Sequence, residues 1–134
     1  MVYDKQHMMF KDFLIVGMGS FLGGGARFVV SKWLQAGVAV SFPLHTFVVN
    51  IAGCLLIGFF SGLHYEGKYM TPATKLLLTT GFCGGFTTFS TFVNESMLLG
   101  KDSSIALTGL YIGGSVAAGF LCLWVGNCLA RAIQ

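Results

Sequence analysis

The residues best equipped for chemistry crowd into one stretch. Gly81-Phe82-Cys83-Gly84-Gly85-Phe86-Thr87-Thr88-Phe89-Ser90-Thr91-Phe92 packs three glycines, three threonines, a serine and four phenylalanines into twelve positions. Adjacent Gly84 and Gly85 each lower helix propensity by about 1 kcal/mol relative to Ala, and the β-branched threonines lower it further. The composition predicts a helix broken near Gly84 to Thr88. Inside a bilayer, freed backbone is tolerated only where protein buries it or a cavity needs it, so a break there marks a site. Freed carbonyls, for instance those of Gly84 and Thr87, suit a dehydrated cation. The competing reading is a glycine-rich face whose Thr hydroxyls bond back to their own helix. Phe89 and Phe92, three apart, share a face; they are either core or rings whose positive edges attract an anion without a formal charge. Glu95, one turn further on, belongs in an aqueous mouth or beside an Arg or Lys.

Other polar residues recur at helical spacing. Thr46, Asn50 and Gly53 place a hydroxyl, an amide and a bare backbone patch on one face. Asn within a membrane helix needs a partner, either a neighbouring helix or a passing anion that accepts from its two N–H groups. Tyr111, Ser115 and Gly119 form a similar short stripe, serving helix packing or a ladder of hydroxyls. The run from Gly17 to Gly25 has the spacing GxGxxxG and lies in an apolar span, not after a strand, so a dinucleotide site is excluded. Gly19 and Gly23 instead bare a face for close helix packing. Arg27, near the end of that span, either snorkels to headgroups or ties off carbonyls of another helix. His7, His45 and His64 are scattered, and Cys54, Cys83, Cys122 and Cys128 have no metal-ligand spacing. Neither set points to a metal or to catalysis.

The elements that must carry these residues follow from the solvent the chain demands. Of 134 residues, charged types make up 10% and hydrophobic types 54%, with 19 Gly and 2 Pro; the mean hydropathy is +0.76. Soluble domains carry about 25% charge. Collagen, disorder and an ordinary soluble domain are all excluded. A bilayer crossing takes roughly 20 apolar residues, and the chain holds four, at about Phe13–Trp33, Leu44–Leu63, Thr74–Leu99 and Ile105–Ile133. We read residues 1–134 as a single all-α, four-span membrane domain. The charged lead of Asp4, Lys5, Lys11 and Asp12 precedes an apolar stretch with no clear small-residue cleavage site, which reads as a membrane helix and not a removed signal. The turns are Gln35–Pro43, His64–Pro72 (with Glu66, Gly67 and Lys68) and Gly100–Ser104. The net charge of +3 is spread thinly, with no basic run to follow nucleic acid. Lys and Arg divide five against three between the two sides. Since their asymmetry sets orientation, a near balance permits insertion both ways up and an antiparallel homodimer.

The block Gly81 to Phe92, with Asn50-Ile51-Ala52-Gly53 before it and Gly24-Gly25-Ala26-Arg27 near the end of the first span, closely resembles the bacterial Fluc/CrcB fluoride channel family. The resemblance covers essentially the whole chain, in order. It implies passive fluoride export across the bacterial inner membrane by an antiparallel, dual-topology homodimer with two narrow pores and a central structural Na⁺. By motif position, Asn50 is similar to the family's pore Asn, Phe89 and Phe92 to its paired phenylalanines, and Gly84 with Thr87 to its Na⁺-binding carbonyls. Thr46, Ser90, Thr91, Tyr111 and Ser115 correspond to lesser pore-lining positions, with Glu95 near a vestibule. Beyond Ser115 the fourth span has Ala117, Gly119 and Leu121 where some members continue the hydroxyl track. The rival reading is a proton-coupled small-molecule exporter of the small-multidrug-transporter type. It needs a carboxylate deep in the membrane, and Glu95, the one acid within a span, is peripheral.

Overall fold

The first passage is longer than any membrane requires. The computed structural model describes residues 2–38, 41–64 and 70–134. Helix α1, Val2–Gly37, has 36 residues, about 54 Å at 1.5 Å per residue against a hydrocarbon slab of about 30 Å. The apolar stretch Phe13–Trp33 is its middle. The charged lead is helical too, with Asp4 in the first turn, where the helix dipole favours a carboxylate. Helix α2, Leu44–Gly62, starts directly after Pro43, whose fixed φ suits the approach to a helix.

The third passage, Pro72–Asp102, is built in pieces. Helix α3, Pro72–Leu76, starts with Thr71 Oγ1 accepting from the Thr74 amide (3.1 Å) and Pro72 in the first turn. A π-helical segment, Leu77–Cys83, follows, then the single turn α4, Gly84–Phe86. Thr87 (ψ 156°) and Thr88 (φ −145°, ψ 118°) are extended, and α5 runs over Phe89–Asp102 with the Thr88 side chain as its cap. The break thus lies at the C-terminal edge of the expected interval. The glycines stay helical, and the β-branched threonines, which favour extended backbone, take the kink.

Helix α6, Ile105–Ala132, is capped by Ser104, whose Oγ accepts from the Leu107 amide at 3.1 Å. The expected turn Gly100–Ser104 is shorter than the spacing suggested, because α5 continues through Asp102. Glu66, Gly67 and Lys68 of the expected second turn lie outside the described residues.

Glycines decide the packing. Helix α2 packs most extensively on α6. Gly58 lies on the Leu123 carbonyl, and Gly126 on the Leu55 carbonyl and the Phe59 amide. Helix α1 packs on the π segment and α4; its Gly19–Gly23 face meets the backbone of Leu77, Gly81 and Phe82, as small residues four apart allow in lipid. Ser20 Oγ adds a hydrogen bond to the Gly81 carbonyl (3.3 Å). Few large side chains are fully enclosed, Val49, Cys83 and Tyr111 among them, whereas Phe13, Phe21, Trp33, Phe120 and Trp124 face outward. Water would not tolerate so large an apolar surface, but acyl chains suit it. Among the described residues, four passages are long and apolar enough to cross a membrane.

The turns bring α1's C-terminus, α2's N-terminus, α5's C-terminus and α6's N-terminus to one end of the bundle. At the other end Lys75 Nζ donates to the carbonyls of Ser61 (3.0 Å) and Leu63 (3.3 Å), which close α2. A cation is favoured there by the helix dipole.

Candidate functional site

The break in the third passage is held open by one side chain. Asn50, midway along α2, accepts the Thr88 amide on Oδ1 (2.8 Å) and donates from Nδ2 to the Thr88 carbonyl (3.1 Å). An α-helix would return the Thr88 amide to the Gly84 carbonyl and the Thr91 amide to the Thr87 carbonyl. Asn50 takes the first of these amides, and Thr88 Oγ1 takes the second (3.3 Å). The carbonyls of Gly84 and Thr87 are thereby released from their helical donors. Both readings of the threonines hold at once. Thr87 Oγ1 bonds back to the Cys83 carbonyl (2.9 Å), while Thr88 Oγ1 caps α5 and donates to Thr91 Oγ1 (3.0 Å). The bonds of Arg27 also support the kink, since its Nε donates to the Gly85 carbonyl at 3.2 Å.

A second cluster stands two turns away toward the end of the bundle. Glu95 accepts from Thr46 Oγ1 (2.9 Å) on Oε1 and from the Tyr111 hydroxyl (3.0 Å) on Oε2. His45 Nε2 lies 3.0 Å from the same Oε1. Of the two places expected for Glu95, an aqueous mouth or the side of an Arg or Lys, it lines the cavity at the bundle end, and its partners are a histidine and two hydroxyls. Glu95 sits here because α2, α5 and α6 converge where Tyr111 is fully buried, its ring edge-on to Phe42 (centroids 5.2 Å apart) and tilted against Phe92 (5.1 Å). Phe92 in turn lies 6.1 Å from Phe89, which is 78% exposed.

Cavities border these groups. One of about 330 Å³ is lined by Asn50, Gly84, Thr87, Phe89 and Phe92 among others. A second of about 240 Å³ runs past Arg27, Lys32, His45, Thr46, Thr88 and Thr91. A third of about 620 Å³ opens at the bundle end beside His45, Glu95, Asp102 and Gln35. Asn50, Gly84, Thr87, Phe89 and Phe92 line the first of these, Thr46 and Thr91 the second and Glu95 the third; Thr88 borders the first two and His45 the last two, while Tyr111 is buried against Glu95. Ser90 stays exposed on α5, outside them. The Ser115 hydroxyl is buried and has no hydrogen-bond partner among the described residues.

Residues 14–127 match the family described as CrcB-like protein, Camphor Resistance (CrcB). The chain belongs to the CrcB-like family. Across 118 residues, 88% of this CrcB-like chain and 91% of the relative, it is 48% identical to the fluoride-specific ion channel FluC of Chlorobium phaeobacteroides (strain BS1). It is 44% identical over 127 residues, 95% of its length and all of the relative's, to the FluC of Chlorobaculum tepidum. Against the FluC of Flavobacterium psychrophilum the figure is 39% over 123 residues, 92% of this chain and 99% of that one. With four spanning helices and such relatives, this CrcB-like chain is a multi-pass membrane protein and not an enzyme.

His45 is the member of the site that sequence reasoning missed. A lone histidine at a span edge carries no signal of a partner fifty positions on. The one available hint was its place next to Thr46, whose face was already singled out. The Tyr111–Glu95 bond is testable by itself. Tyr111→Phe keeps the ring packing and deletes the donor; interhelical hydrogen bonds in lipid average about 0.6 kcal/mol and reach about 1.7. We expect a coupling energy of about 1 kcal/mol between Tyr111→Phe and Glu95→Gln in a double-mutant cycle on thermal unfolding in detergent.

Proposed function

We propose that this chain forms a fluoride-selective channel, through which the ion leaves a bacterial cell passively across the inner membrane, protecting it against fluoride toxicity. The relatives name the ion. The observation that carries the mechanism is that, among the described residues, Asn50 gives one of its two amide N–H groups to the Thr88 carbonyl while lining the cavity beside the kink. An NH₂ group has two donors, so the second is available to an anion in that cavity. Fluoride is compact and strongly hydrated; a selective path must replace its water with close donors yet release it. Neutral donors do this: the Asn50 amide, the unpartnered Ser115 hydroxyl, and the positive ring edges of Phe89 and Phe92. Thr46, Thr91 and Tyr111 are lesser members of the path, Ser90 would belong to it only beside a second copy, and Glu95 stands in its vestibule.

A second copy completes the site. Of the residues whose carbonyls are released, Gly84 is exposed and Thr87 half-buried, both within the third spanning passage, and irregular backbone is not left facing lipid. A protein surface must cover them, and the near balance of Lys and Arg lets an inverted copy supply it. The same carbonyls fit a sodium ion, a hard cation that takes neutral oxygen ligands. Gly84 and Thr87 would hold it together with their equivalents in the second copy, and the ion would join the two kinks.

Reconstituted into liposomes, the protein is expected to release fluoride down its gradient and retain chloride. Equal leakage of both ions, or none of either, overturns the reading. Proton-driven uphill transport that disappears in Glu95→Gln would instead identify a coupled exporter. The position of Glu95 at the mouth, bonded on both oxygens, speaks against that role.

A further inference from the structure

His45 stands at a boundary between two differently charged spaces. It lines both the outer cavity at the bundle end and the inner one leading to Thr88. Among the described residues around the outer cavity, the charged groups beside His45 are Glu95 and Asp102 of α5, both acidic. Around the inner one they are Arg27 and Lys32 of α1, both basic. From α6 the facing titratable group is Tyr111, whose hydroxyl is committed to Glu95. An anion entering at this end therefore passes a negative mouth before it reaches positive side chains.

The pair at the boundary decides how large that first obstacle is. His45 Nε2 sits 3.0 Å from Glu95 Oε1, and both side chains are partly open to the cavity, at 21% and 16% exposure. Imidazole is the side chain whose charge ordinarily changes between about pH 5 and 8. As imidazolium it cancels the Glu95 charge and leaves Asp102 alone at the rim. As neutral imidazole it leaves two carboxylates facing the incoming ion, with no change in shape.

Resting on the channel reading above, we propose that His45 is a further residue of the fluoride path: a proton-dependent charge compensator of Glu95 that makes anion entry at this mouth faster in acid. A charged cleft changes the local concentration and entry rate of an ion by about tenfold at the low end of the known range. Hence fluoride efflux is expected to rise about tenfold from about pH 8 to about pH 5.5, with the same buffer on both faces.

The test is fluoride efflux from proteoliposomes across that pH range for wild type, His45→Asn and His45→Lys. Protein-free vesicles are subtracted because hydrogen fluoride crosses lipid unaided. His45→Asn should give a flat profile at the wild type's slow, alkaline rate. His45→Lys, a fixed cation, should give a flat profile at the fast, acid rate. Size-exclusion elution verifies the fold, and His45→Gln replaces His45→Asn if that variant elutes as aggregate. Fluoride flux whose pH profile is flat in the wild type, or is the same in the wild type and the variants, overturns the assignment of His45 while the channel stands. No fluoride flux from the wild type at any pH overturns the channel and His45 together.

Discussion

Asn50→Leu is expected to reduce fluoride efflux at least about a hundredfold while the protein still inserts. Two losses combine to give this size. The Thr88 amide loses its Asn50 acceptor, while the Thr88 carbonyl keeps the helical amide that an N-cap carbonyl accepts; a buried backbone N–H left unsatisfied costs about 1–3 kcal/mol. The amide N–H assigned to the ion is lost as well. Since about 1.4 kcal/mol is tenfold in rate, the orphaned amide and the lost ion donor together are expected to reach a hundredfold. Asn50→Asp tests the donor side of the site. It retains an acceptor for the Thr88 amide, but sets a carboxylate against the Thr88 carbonyl and against the permeating anion, so efflux is lost there too. Proteoliposome efflux beside a size-exclusion trace checks both variants. Efflux of Asn50→Leu within about twofold of wild type would mean that the kink does not carry the ion.

A large stability effect is expected at Gly23. An added Cβ would stand 2.9 Å from the Phe86 amide nitrogen and closer still to the Phe82 carbonyl. Both are backbone, and neither can rotate away. Overpacking of this kind costs about 1–3 kcal/mol and at times more. Gly23→Ala should therefore lower stability by about 3 kcal/mol, despite the gain in helix propensity. Gly25, two residues on, supplies the control, since a Cβ there would meet nothing within 4 Å. Gly25→Ala gains the same propensity and should be neutral or mildly stabilising, within about 1 kcal/mol. Thermal unfolding of the two variants in detergent compares them; equal midpoints would show that α1 does not lie backbone to backbone on the π segment.

The contrast between these two sites explains what could be read without coordinates. Gly19 and Gly23 were legible as a packing face because spacing of four is a local property of one helix. Gly84, Gly85 and the threonines after them announced a break for the same reason, since helix propensity is a property of consecutive residues. The site of the kink within that interval was not legible. Thr88 became extended because Asn50 reaches it across 38 positions, and only the rotation and height of α2 against the third passage put the amide there.

The amino-acid sequence by itself determined the solvent, the four passages, the break and the set of uncharged donors, because a bilayer forces each stretch to satisfy hydropathy and backbone bonding locally. Tertiary structure alone decided the pairings. These are Asn50 with Thr88, Glu95 with Thr46, Tyr111 and His45, and Arg27 with the Gly85 carbonyl. Each joins different helices, and its formation depends on how far one helix is turned and shifted against the next. That relation is set by small residues such as Gly58 and Gly126 at the contacts, not by the residues that make the bonds.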